Sequence, residues 1–162
     1  MIINICLLMA TLSFSNCDKK QYESYPPSDN ENISVSETKE HLTIHSTIAD
    51  VLTHPAFNGF SRYILPLEWG YDADMQLSNV SRLLPYHNYI DAERCVGYIN
   101  QMIDSVATGR RIYYDLGRED AGLFFFRGRP GAPFAVICPG GGFSYVGSIH
   151  EGFPHALVLS QM

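Results

Sequence analysis

Basic residues are scarce in this chain: 11 Lys and Arg stand against 17 Asp and Glu, a formal charge of -6. No positive surface is therefore on offer for phosphates, which excludes nucleic acid as a partner. Cysteine is equally sparse, and Cys6, Cys17, Cys95 and Cys138 lie too far apart for a C-x-x-C pair. That excludes a zinc knuckle, a redox couple and a disulfide framework. No cofactor is called for. Apolar runs are short: residues 2–14 fall below the roughly 18 to 20 residues that a membrane helix requires, and read as the core of an export signal. What is present is enough apolar and aromatic side chain, 46% and 12%, for one modest globular core.

The leader is expected to occupy residues 1–17. Its Ser15-Asn16-Cys17 end has the small-small-Cys form of a lipoprotein signal, so Cys17 is the candidate lipidation site and a lipid anchor the one expected membrane contact. The expected location is the cell envelope or the exterior. Residues 18–46 are polar and contain Pro26-Pro27, the composition of a disordered tether.

Order is expected from Thr47. Thr47-x-x-Asp50 has capping-box form, Ile48, Val51 and Leu52 share a helical face, and Pro55 ends the turn. Residues 58–89 lack a sustained period and read as irregular chain with Leu65, Leu67, Trp69 and Leu77 as apolar anchors. Asp91 caps a second helix on which Cys95, Ile99, Met102 and Val106 form the buried stripe, with Gly109 as its left-handed stop. Residues 47–110 are thus a helical and irregular extension. Strands follow at 111–116, 123–127 and 134–138, and the unbroken apolar run Leu123 to Phe126 predicts a strand covered on both faces.

The segment that carries chemistry begins at the third of these strands, 134–138, which is expected to be buried. It runs into Pro139-Gly140-Gly141-Gly142-Phe143, and a helix is expected to open at Pro154. Successive glycines remove side chains from in front of backbone N–H groups and permit the positive φ angles that aim such groups into one cavity. The loop is suited to negative charge. Phosphate is the rival ligand, yet Gly142 to Gly147 is followed by Ser148 where a P-loop requires lysine, and Tyr145 breaks the dinucleotide fingerprint counted from Gly140. An oxyanion is the remaining choice.

The strand followed by P-G-G-G-F-S-Y, together with the downstream H-E-G-x-P-x-A-x-x-L, resembles bacterial α/β-hydrolases of the esterase and lipase group, whose H-G-G-G loop follows the third strand. The resemblance covers residues 112–162. It implies an α/β fold, present as the first three strands and the start of the first helix of an α/β-hydrolase domain in residues 111–162. It also implies that the backbone N–H groups of Gly140, Gly141 and Gly142 stabilise the tetrahedral oxyanion of an ester substrate, small-molecule or carbohydrate. Pro139 departs from the pattern, standing where the family has histidine and offering no N–H.

The nucleophile elbow is missing. A serine hydrolase of this type needs G-x-S-x-G, and the near misses around Ser61 and Ser144 both lack the second glycine. The chain is therefore expected to be the N-terminal part of a longer enzyme and inactive alone. In the family's sheet order a fourth strand lies between the second and third; with none in this sequence, those two strands are expected to be left with exposed edges. His150 and His155 stand one residue too far apart for H-E-x-x-H zinc ligation, His41 and His45 lie in polar sequence, and His54, His87 and Asp115 read as structural. A second class stays open: a non-catalytic exported binding or interaction protein that uses the aromatic-rich 58–89 region and Trp69.

Overall fold

The computed structural model describes residues 40–84, 90–118 and 121–162, and the backbone of residues 4–9. The Cys17 assignment, most of the polar tether and His87 lie outside the described residues. Packing begins earlier than Thr47. Leu42 is buried, and the Asn100 side chain brackets its backbone, accepting its N–H and donating to its carbonyl at 2.9 Å each. One buried leucine with a paired backbone is enough to fix residues that composition alone assigned to the tether.

At Thr47 the capping box forms in both directions. Thr47 Oγ1 accepts the Asp50 N–H at 3.2 Å, and Asp50 Oδ2 accepts the Thr47 N–H at 2.6 Å. Helix α1 (Ile48–Thr53) follows and buries Ile48 and Val51. His54 leaves it in extended conformation, as a residue before proline must, and the chain continues as the 3-10 turn Pro55–Phe57. The next segment is less irregular than its composition suggests, with further 3-10 turns at Ser61–Tyr63 and Leu77–Leu83. Leu65 and Leu77 are buried anchors as expected, whereas Trp69 is 48% exposed.

Helix α2 (Ala92–Ala107) matches its sequence signals at both ends. Asp91 accepts the Arg94 N–H at 3.1 Å, and Gly109, at φ +77°, allows the Arg110 N–H to return to the Ser105 carbonyl at 3.0 Å. Its buried stripe is Cys95, Val96, Ile99, Met102 and Ile103.

The sheet contains β1 (Asn4–Met9), β2 (Tyr113–Arg118), β3 (Ala121–Phe126) and β4 (Phe134–Ile137), in the order β2-β3-β1-β4. The strands β3 and β4 are thus not neighbours. Between them lies β1, antiparallel to β3 and parallel to β4, so the shared neighbour expected to be missing is supplied by the apolar N-terminal segment. The first strand after α2 begins two residues later than predicted, where the Arg111 side chain donates to the Tyr113 carbonyl, and it runs on to Arg118 with its register to β3 broken between Asp115 and Arg118.

Two expectations about burial are corrected. In β3, Phe124 and Phe126 are buried while Leu123 and Phe125 are only half-buried, so the run alternates rather than being covered on both faces. In β4, Phe134 and Val136 are exposed by 72% and 51%, while Ala135 and Ile137 pack against the core. Among the described residues the sheet is layered on one face. That face meets α3 (Phe153–Gln161) and the 3-10 turns, through rings such as Phe124–Phe153 and Phe60–Tyr113, each pair 4.9 Å between centroids. Full burial of Phe153 contributes roughly 1.5 to 3 kcal/mol and fixes α3 to β3.

Candidate functional site

The glycine loop joins β4 to α3. The chain leaves β4 at Cys138, and Gly141 (φ +148°), Gly142 (φ +58°) and Phe143 (φ +63°) all take positive φ. The Gly141 conformation is reserved for glycine in practice, and Phe143 is the one non-glycine residue among those described with positive φ. Its ring is 94% exposed. The turn closes on itself, with the Ser144 N–H donating to the Gly141 carbonyl at 3.0 Å and the Gly147 N–H to the Gly140 carbonyl at 2.9 Å.

These closing bonds determine where the amides face. In a trans peptide the C=O and the following N–H point in opposite directions. Binding the Gly140 carbonyl therefore turns the Gly141 N–H away from Gly147, and binding the Gly141 carbonyl turns the Gly142 N–H away from Ser144. Among the described residues, neither N–H donates to a protein partner. The first of the three candidate donors behaves differently: the Gly140 N–H donates to Glu151 Oε2 at 2.7 Å.

Close approach demands glycine at position 141 of the loop. A Cβ on Gly141 would overlap the Tyr145 carbonyl, whereas one on Gly142 would meet nothing within 4 Å. Gly142 therefore faces open space.

After Gly147 the chain does not wait for Pro154 to wind up. A π turn, Ser148–Gly152, runs directly into α3, with the Gly152 N–H reaching back to the Gly147 carbonyl at 3.1 Å. Pro154 sits in the first turn of α3, where its missing N–H costs nothing. Ser148 and Ile149 are buried by this turn, and the His150 ring lies against Tyr145 at 6.2 Å between centroids. Burial first, and the Glu151 carboxylate second, push the Tyr145 phenol above its ordinary value. Glu151 is the residue that sequence reasoning passed over. In the sequence it stands out only as part of H-E-G-x-P and of the failed H-E-x-x-H spacing, and the glycines at 140 and 147 are the signal that a side chain must fit between them.

The other titratable candidates are dispersed. Ser144 is exposed, and no histidine or carboxylate hydrogen-bonds its hydroxyl among the described residues. His155 donates from Nδ1 to the Glu151 carbonyl at 2.6 Å, a bond within the helix. His41 pairs with Asp104 at 2.9 Å on the surface, away from His45. His54 is buried as a structural ring: Nε2 donates to the Glu40 carbonyl at 2.8 Å and Nδ1 accepts the Ala56 N–H at 3.2 Å. Asp115 accepts the Gly117 N–H at 2.7 Å within β2. No cluster of metal-ligating side chains occurs among the described residues. Two cavities, of about 470 and 540 Å³, lie along α2 and β3 and along residues 70–83, and neither includes the glycine loop. No protein-family model, curated protein or solved structure matches the chain.

Proposed function

We propose that this chain is the oxyanion-loop portion of an exported carboxylic-ester hydrolase of the α/β-hydrolase type, whose Ser-His-Asp triad is to be sought in sequence beyond it. The observation that carries the reading is the pair of outward N–H groups of Gly141 and Gly142, undonated at the end of a strand and beside open space. Such preorganised donors, held in place before a substrate arrives, stabilise a developing oxyanion without reorganisation. Among the described residues the Ser144 hydroxyl has no hydrogen-bonded base to activate it, so it is not the nucleophile of this reading.

The test is made on the complete gene product with p-nitrophenyl acetate. Gly141 is a poor place to intervene, because any side chain there disrupts the loop backbone. Gly142→Val adds its bulk to open space while disfavouring φ +58° and rotating the peptide that bears the N–H. Loss of one donor is worth about 2.7 to 4 kcal/mol, so kcat should fall by about 100-fold or more. Gly59→Val, at φ +83° in equally open surroundings, controls for backbone strain. Near-normal kcat in a folded Gly142→Val protein, or equal losses in both variants, would sink the oxyanion assignment. A complete product with no esterase activity and no serine labelled by a phosphonate would favour a non-catalytic binding protein.

A further inference from the structure

The geometry points to Glu151 as the positioning residue of the glycine loop: its carboxylate takes the Gly140 N–H and so presents the next two amides to the oxyanion. The inference rests on the hydrolase reading above and gives a role to a side chain outside the glycine run.

Three observations carry it. First, both backbone groups of Gly140 are held from the same short element. Its N–H donates to Glu151 Oε2 at 2.7 Å, and its carbonyl accepts the Gly147 N–H at 2.9 Å. A charge-assisted bond of that length is the stronger kind. Second, the space is made for the carboxylate. A Cβ on Gly140 would stand 2.8 Å from Oε2 and force the carboxylate to shift, and one on Gly147 would stand 3.1 Å from Cδ and crowd it. Third, Glu151 is aimed by the π turn. Its own N–H is tied to the Gly147 carbonyl at 2.9 Å, and its second oxygen lies 3.7 Å from Nε2 of the nearly buried His150.

The consequence is a division of labour along the loop. The Gly140 N–H is satisfied internally and is not an oxyanion donor. Glu151 anchors the Pro139–Gly140 peptide that leads into the loop, the Gly147 N–H on the Gly140 carbonyl fixes the peptide that carries the Gly141 N–H, and the turn closed by Ser144 fixes the one that carries the Gly142 N–H. Glu151 thus acts through the backbone and touches no reacting atom. A misplacement of about 1 Å at such donors can cost 100-fold in rate.

Two measurements test this. In the 162-residue chain, the ¹H shift of the Gly140 amide should lie well downfield, move upfield in Glu151→Ala, and move only part of the way in Glu151→Gln, which keeps an acceptor oxygen. In the complete gene product, Glu151→Ala should lower kcat by about 10- to 100-fold with KM changed by less than about threefold, and Glu151→Gln should recover most of kcat. An unmoved Gly140 amide would show that the carboxylate does not hold the loop. Unchanged or raised kcat in Glu151→Ala, with the wild type active, would overturn the positioning role and mark the carboxylate as dispensable or obstructive. A wild-type protein inert toward esters would remove the hydrolase reading and the catalytic half of this assignment, while the amide shift would still decide the clamp.

Discussion

Residues of one type take opposite characters here according to the surface they land on, and the cysteines show this best. Cys95 lies on the buried stripe of α2, where desolvation first and the Asp91 carboxylate second push its thiol up to about 12. Cys138 follows β4 and is exposed. Thiolate is the reactive form. At pH 8 iodoacetamide should therefore modify Cys138 within minutes and leave Cys95 untouched until the protein unfolds, as peptide mass mapping would read. The sign of the linkage follows from the same shift. A thiol whose folded value is raised stabilises the fold below its unfolded value of roughly 8.5, and that contribution is lost as pH rises from there toward about 12. Comparable labelling of both cysteines in native protein would show that α2 does not bury Cys95. The sequence pattern predicted Cys95 correctly, because a helical stripe identifies its own buried side. It misplaced Cys138 and its strand, since period-2 alternation tells which residues share a face but not whether that face is covered.

Among the elements, those that agree with the sequence are the ones with local causes. The α1 capping box, the Asp91 cap and the Gly109 stop each depend on residues within four positions of one another, and each forms as written. Elements whose form depends on distant partners were less legible. The π turn ahead of α3 is one, and the shifted start of β2 is another. Glycine separates the two situations. Gly97 lies inside α2 with nothing within 4 Å of a prospective Cβ, while at Gly122 the Tyr113 ring occupies the space a Cβ would need. Gly97→Ala should accordingly stabilise the chain by about 0.5 to 1 kcal/mol through helix propensity alone. Gly122→Ala should destabilise it by about 1 to 3 kcal/mol, the cost of forcing bulk into a filled site. Urea unfolding of both variants checks the pair. A destabilised Gly97→Ala would mean that α2 has a neighbour on that side.

At the scale of the whole molecule, residues 4–9 carry two competing demands. Their apolar composition suits an export signal, which processing would remove. Their backbone forms the strand between β3 and β4, with Leu7 opposite Phe124 on one side and Ile137 on the other. Without that strand, two apolar strands would present unpaired N–H and C=O groups to each other across an empty position, a template for aggregation. The strand order implied by the resemblance leaves an expected vacancy between these two strands, and composition could not show that residues 4–9 pair with both. A proline at position 7 distinguishes the two demands, because it removes an N–H from a strand bonded on both sides while leaving an apolar leader apolar. In the 162-residue chain Leu7→Pro should cost about 1 to 3 kcal/mol, the penalty of an unsatisfied partner, and lower Tm by roughly 2 to 12 °C. An unchanged Tm would exclude Asn4–Met9 from the sheet. Mass spectrometry of the protein recovered from a bacterial envelope gives the complementary reading. A product beginning at a lipid-modified Cys17 would mean that β3 and β4 take a different neighbour after export. A product retaining residue 1 would leave β1 as their permanent one.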